Sequence, residues 1–376
     1  MKRALNLLAA FVLVLTQLMM LSPSTASGAP VVTVNSTGDA TDVSPGDGIC
    51  STGAILGNGA QECTLRAAMQ EANASSVDEI AFAIPSGPYV ITPGSPLPPI
   101  TDRVSIDATT QPGFAGSPVI VLDGASAGTS TEADGFLIYA NRSTIRGLVI
   151  QHFHDDGVEL HGSVNRVYGN HIFDNDDGVL VYGSLNRIGG ISAGQANVIY
   201  GNNGHGVAIE SPSDSRNVIL SNSIYGNEEL GIDLPKDPGD PDANDPGDGD
   251  VGANYLLNHP VITQAAEAGG IVYVEVDLDV PDGSYRIEIF SNPGGADPSG
   301  YGEGEELVLS TVVSRTSGNS SFSFTVPGSP GDVLTATATR CRFGCDQHRA
   351  TSEFSPAETV VLGNHAPVLD AIEPIA

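Results

Sequence analysis

Between Asp134 and Leu234, short apolar runs recur behind a fixed glycine. Five segments share the pattern: Asp134-Gly135-Phe136-Leu137-Ile138, Asp156-Gly157-Val158-Glu159-Leu160, Asp177-Gly178-Val179-Leu180-Val181, His205-Gly206-Val207-Ala208-Ile209 and Leu230-Gly231-Ile232-Asp233-Leu234. The glycines follow one another at 22, 21, 28 and 25 residues. Apolar residues one and three places after each glycine describe a short strand that buries one face. Glycine ahead of the strand predicts a corner with positive φ. A second strand precedes each glycine, at Leu148–Ile150, His171–Phe173, Val198–Tyr200 and Ser223–Tyr225. Asn165, Asn170, Asn175, Asn186, Asn202, Asn217, Asn222 and Asn227 punctuate the turns, where asparagine tolerates left-handed backbone and its amide can pair with a neighbouring coil. A period of this length, with two or three short strands and no helix, predicts one coil of a parallel β-helix. A leucine-rich repeat would need a fixed Leu and Asn pattern, and a propeller blade roughly 40 residues.

The coils are expected to begin earlier, at Ile80–Ile84, Tyr89–Ile91, Val104–Ile106 and Val119–Leu122. An open solenoid end exposes apolar core and unpaired edges, so it needs a cap. Cys63-Thr64-Leu65-Arg66-Ala67-Ala68-Met69-Gln70-Glu71-Ala72-Asn73 is the one clear helix, with Thr64 as its cap and Leu65, Ala68, Met69 and Ala72 on one face. Cys63-Thr64-Leu65-Arg66-Ala67-Ala68 resembles the Cys-Ser-Leu-Arg-Glu-Ala motif of CSLREA-domain proteins, with Ala67 where that motif has glutamate. Ile106–Gly113 and Ile145–Ile150 are similar to segments of the same proteins. The resemblance covers most of residues 31 to 360. It implies an exported bacterial protein with right-handed β-helix repeats, and no common activity.

After Asn258 the texture changes to longer alternating strands: Ile271–Leu278, Tyr285–Phe290, Leu307–Leu309, Ser321–Val326 and Val333–Ala338. This predicts an immunoglobulin-like β-sandwich. Gly302-Glu303-Gly304-Glu305-Glu306 reads as a solvated acidic turn. The fold class is therefore mainly β: a right-handed parallel β-helix with an N-terminal helical cap, followed by that sandwich. The expected divisions are a signal peptide (1–26), cap and first coils (30–110), β-helix repeats (111–236), an acidic junction (237–257), the sandwich (258–362) and a linker into a further domain (363–376).

Export follows from the start of the chain. Lys2 and Arg3 precede an apolar run from Ala4 to Leu21, then small residues; cleavage is expected after Ala26, with Ala29 the alternative. A membrane anchor would need a span of about 20 apolar residues, and no later segment supplies one. Removing Lys2 and Arg3 deepens a formal charge already at −30 and leaves Lys236 as the only lysine. Such a surface repels nucleic-acid phosphates and anionic lipid. The 45 glycines and 25 prolines fit a turn-dense β protein. Four cysteines in an exported chain predict two disulfides, most simply Cys50 with Cys63 and Cys341 with Cys345. The competing four-thiolate zinc site lacks Cys-x-x-Cys spacing.

Two constellations could carry chemistry. The column Asp134, Asp156, Asp177, His205 stands one residue before each glycine, thickened by Asp155, Asp176 and His154. Stacked about 4.8 Å apart, the candidates Asp155, Asp156, Asp176, Asp177 and His205 would offer paired carboxylates of the kind glycosidases use. The pattern superficially resembles polygalacturonases, but their Asn-Thr-Asp and Arg-Ile-Lys elements are missing. Repeated Asp-Gly turns explain the column more economically. The second constellation is the segment Asp237 to Asp250, where Asp237, Asp240, Asp242, Asn244, Asp245, Asp248 and Asp250 offer hard oxygen ligands for structural Ca2+; a solvated linker is the alternative. The favoured function is a secreted or cell-surface protein that is adhesive or glycan-binding, with polysaccharide as partner and no nucleic acid. The competing class is a polysaccharide lyase or glycoside hydrolase.

Overall fold

The computed structural model describes residues 30–210, 216–234, 241–318, 320–342, 345 and 347–363. The expected signal peptide, the linker from residue 364 onward, and Asp237 and Asp240 of the acidic segment lie outside the described residues.

Each coil contributes to three parallel sheets. The first runs through β1 (Val31–Val34), β2 (Glu79–Phe82), β4 (Ser105–Asp107), β7 (Thr144–Arg146), β10 (Arg166–Tyr168), β13 (Arg187–Gly189) and β16 (Val218–Leu220). The second stacks β3 (Val90–Ile91), β5 (Ile120–Asp123), β8 (Leu148–Gln151), β11 (His171–Phe173), β14 (Val198–Tyr200) and β17 (Ser223–Tyr225). The third stacks β6 (Phe136–Ile138), β9 (Val158–Leu160), β12 (Val179–Val181), β15 (Val207–Ile209) and β18 (Ile232–Asp233). Register is kept from coil to coil, so Ile150, Ile172, Ile199 and Ile224 form one inward column and Ile145, Val167, Ile188 and Ile219 another. Each such side chain contributes about 1.5–3 kcal/mol through burial.

The repeat glycines are required by crowding rather than by φ. None of Gly135, Gly157, Gly178, Gly206 and Gly231 has positive φ, contrary to the expected left-handed corner. A Cβ at Gly157 would lie 2.4 Å from Ile172 Cγ2, and one at Gly178 would lie 2.5 Å from Ile199 Cγ2. The strand is pressed onto the isoleucine of the second sheet too closely for any side chain. Nor do the turn asparagines adopt left-handed backbone; the residue before each one does, as at Val164 (φ 66°), Leu185 (φ 61°) and Gly201 (φ 63°).

That left-handed residue turns the asparagine inward, where three ladders run along the coils. In one, Ser143 donates its N–H to Asn165, Asn165 to Asn186, Asn186 to Asn217 and Asn217 to Asn254, at 2.7–2.9 Å to each side-chain oxygen. The amide nitrogens donate back one coil, as from Asn186 to the Gly162 carbonyl at 3.1 Å. Asn170, Asn197 and Asn222 form the second ladder; Asn175, Asn202 and Asn227 form the third. Their buried backbone groups are thus satisfied without water.

Helix α1 (Leu65–Ala74) packs on β1 and β2 and closes the first coils. Thr64 caps it, accepting from Ala67 N at 3.0 Å. The helix is buried on more than its apolar face: Arg66 pairs with Asp39 at 2.8 Å, and Glu71 accepts from Gly46 and Gly48 N at 2.6 Å. The two disulfides are Cys50–Cys63 and Cys341–Cys345.

The C-terminal unit is a two-sheet sandwich. One sheet holds β19 (Val261–Ala268), β20 (Ile271–Asp277) and β23 (Ser321–Val326), with β27 (Val361–Leu362) parallel on its edge. The other holds β21 (Gly283–Ser291), β22 (Glu306–Arg315), β24 (Val333–Arg342) and β25 (Gln347–Thr351), with β26 (Glu358–Thr359) paired to β24. Val272, Val274 and Val276 share a core with Ile287, Ile289 and Ala336. Tyr285 Oη donates to the Pro281 carbonyl at 2.9 Å, a corner bond typical of such sandwiches.

The sandwich closes the far end of the β-helix. Phe290 and Phe354 join the β-helix core beside Ile224 and Ile232. Three glutamates accept the N–H groups the last coil would leave open: Glu288 takes Ser221, Glu303 takes Gly226 and Asn227, and Glu353 takes Leu234 while also accepting from Asp242 of the acidic junction. Glu303 is therefore buried, not part of a solvated turn. It continues the third asparagine ladder with a carboxylate.

Candidate functional site

The third sheet carries the chemistry. Along its strands the apolar residues point in, so the intervening positions Leu137, Glu159, Leu180, Ala208 and Asp233 align on the outward face. On one flank stands the predicted column Asp134, Asp156, Asp177, His205. On the other, Tyr139, His161 and Tyr182 stack with ring centroids 4.6 and 4.7 Å apart. The tyrosines are 50% and 42% exposed. Because each ring covers its neighbour's face, edges, hydroxyls and imidazole nitrogens are what the stack offers to solvent.

The column is a fourth ladder. Asp156 N donates to Asp134 Oδ1 at 3.0 Å, Asp177 N to Asp156 Oδ1 at 3.0 Å, and His205 N to Asp177 Oδ1 at 2.6 Å. Leu230 N then donates to His205 Nδ1 at 3.1 Å. That bond places the imidazole proton on Nε2, which meets Glu229 at 2.9 Å and Asp233 at 3.6 Å. Glu159 holds His161 Nε2 at 2.8 Å.

Two carboxylate triads form along this ladder: Asp134, Asp156 and Glu159, and Asp155, Asp156 and Asp176, with one oxygen from each member within 4.8 Å of the others. Burial first, then the neighbouring negative charges, pushes Asp134 up to about 8 and Asp156 up to about 9. Burial likewise raises Asp177 to about 6 and lifts Asp155 and Glu159 above their ordinary range, Glu159 despite the opposing pull of His161. The sequence candidates Asp155, Asp156 and Asp176 thus come together, while Asp177 and His205 lie further along the same ladder. Asp156 is 3% exposed and one of its oxygens is committed to the ladder. Glu159, Tyr139, His161 and Tyr182 were not singled out from sequence, although they stand two and four places after the repeat glycines.

The described part of the acidic junction is folded onto the sandwich. Asn244 exchanges hydrogen bonds with His259, Asp245 accepts from Gly249 N, and Asp248 accepts from Asn258 N at 2.8 Å. Burial raises Asp248 to about 6. Asp242 and Asp250 are buried or half-buried within the same segment. The segment is not a free linker.

No helix among the described residues is long and apolar enough to cross a membrane. A comparison with curated proteins gives no match. The family model described as a right handed beta helix region matches residues 116–239, which spans the coils bearing the site and supplies their hand. The described residues between 31 and 234 accordingly form a right-handed parallel β-helix, and its third sheet presents the acidic face.

Proposed function

We propose that the chain is a secreted or cell-surface protein whose β-helix binds a glycan polymer along the outward face of the third sheet without cleaving it. The observation that carries this reading is the Tyr139–His161–Tyr182 stack beside the carboxylate column, both repeating once per coil. A ligand that itself repeats can meet equivalent groups at steps of about 4.8 Å. Hydroxyls, an imidazole and carboxylates are hydrogen-bonding partners for sugar hydroxyls or amino groups. The formal charge of −30 disfavours nucleic acid and favours neutral or basic chains. Structural calcium in the acidic junction is part of the same proposal, with Asn244, Asp245, Asp248 and their neighbours as oxygen donors.

A second reading is a lyase or hydrolase. What favours it is a carboxyl held up to about 9 at Asp156 beside Asp155 and Asp176, since separated carboxyl affinities mark acid and base roles. A glycan array run with a polysaccharide depolymerisation screen decides between them. Retention of a glycan by the parent, lost in Tyr139→Ala with Tyr182→Ala and unaccompanied by chain cleavage, is the expected result. Cleavage that disappears in Asp156→Ala with Asp177→Ala, the fold remaining intact, would overturn the non-catalytic reading. For the junction, chelation should lower the melting temperature, and Asp242→Ala with Asp248→Ala should shrink that loss; an unchanged loss refutes calcium there.

A further inference from the structure

We propose that Asp134, Asp156 and Glu159 form a calcium site on the third sheet, separate from the acidic junction and independent of the glycan reading. The three side chains belong to two consecutive coils and bring one oxygen each within 4.8 Å of the others. Two ligands on opposite sides of a calcium ion, each 2.3–2.6 Å from it, lie about 4.6–5.2 Å apart. One ion can therefore touch all three.

An independent observation points to a ligand. Asp134 is 2% exposed, and no N–H or hydroxyl donor reaches its Oδ2, while its Oδ1 accepts from Asp156 N. The Asp134 side chain lies within hydrogen-bonding reach of Glu159, its partner in the triad. Two carboxylates cannot satisfy one another, because neither donates; a buried acceptor left this way costs about 1–3 kcal/mol or more. A cation or a shared proton must stand between them. The neighbouring ladders show that the fold does not demand this arrangement: in the equivalent role Asn186 uses its amide to donate to the Gly162 carbonyl.

The surroundings select the ion. All three ligands are hard carboxylate oxygens, which suits calcium over zinc or copper. His161 stands on the first oxygen of Glu159 at 2.8 Å, orienting the carboxylate from behind as outer-shell partners do and leaving its second oxygen for the ion. The charged groups around the triad are Asp155, Asp176 and Asp177 together with His161, so one dication still leaves the site negative. Asp155 and Asp176 form the adjoining triad through Asp156 and extend the donor set toward solvent.

Calorimetric titration of the EDTA-stripped chain with calcium chloride tests the site. The parent should show a binding event that weakens at least tenfold in Asp134→Asn and in Glu159→Gln, and that persists in Asp245→Asn with Asp248→Asn. Asp134→Asn keeps the ladder acceptor and adds a donor toward Glu159, so its melting temperature without calcium should equal or exceed the parent's. Glu159→Gln provides the same test from the other coil of the triad. Titrations of the parent and both variants that superimpose, or a parent without calcium uptake, would overturn the proposal and assign the triad to a shared proton.

Discussion

The asparagine ladders and the aspartate column occupy comparable corners of the same coils, yet they solve different problems. Asn186 accepts an N–H from Asn165 and donates to the Gly162 carbonyl, so both ends of its amide are used. Asp134 accepts an N–H from Asp156 in the same manner, but no N–H or hydroxyl reaches its second oxygen and the side chain sits among carboxylates. The first arrangement is closed and dry. The second needs something from outside the chain, and the half-buried Asp155 and exposed Asp176 connect it to solvent. Repetition therefore does not separate structure from function here; the chemistry left over after the backbone is satisfied does.

Exchanging the two chemistries should have the largest effect. In Asn186→Asp a carboxylate would face the Gly162 carbonyl with no donor between them, and the loss in denaturant unfolding should be about 3 kcal/mol or more. Removing the end cap comes next. Glu303→Ala strands the N–H groups of Gly226 and Asn227, for about 2–3 kcal/mol, and should split a single unfolding transition into separate β-helix and sandwich steps.

The cap also has a pH signature. Burial pushes Glu353 up to about 8, assisted by Asp242 and Asp233 and opposed by the N–H groups of Leu234 and Asp242. The folded state then holds this proton more tightly than the unfolded chain, whose glutamate titrates near 4.5. Its contribution is full below that value and is lost as pH rises toward 8. Denaturation midpoints should fall between pH 5 and pH 8.5, less steeply in Glu353→Gln; an equal slope in the variant removes Glu353 as the cause. A smaller gain is expected from Val164→Gly, which relieves a β-branched residue at φ 66° and should raise stability by about 1 kcal/mol in the same assay.

Much of the scaffold was legible because it is local or periodic. The glycine spacing revealed the coils, the Thr64 cap and apolar face revealed α1, and both disulfides close short loops. The first sheet was harder to see. A strand such as Arg166-Val167-Tyr168 buries one side chain between two that are not, too little alternation to stand out. Glu303 was misread because its partner Asn227 lies 76 residues away, and an acidic glycine-rich turn looks solvated until the coil end beneath it is known. The site was half visible. The aspartates were found by their column, whereas Tyr139, His161 and Tyr182 occupy a second column that only the strand register exposes. The role of the repeat glycines needed three dimensions, since close packing on Ile172 or Ile199 leaves no local signal.

Thermal unfolding of three proteins side by side, the parent, Asn186→Asp and Asp134→Asn, in EDTA at pH 8, tests the difference between the ladders most directly. Opposite responses are predicted: the acid placed in the asparagine ladder lowers the melting temperature sharply, and the amide placed in the aspartate column holds or raises it. A fall of similar size in both variants would contradict the account, because the aspartate column would then be as closed as its neighbours.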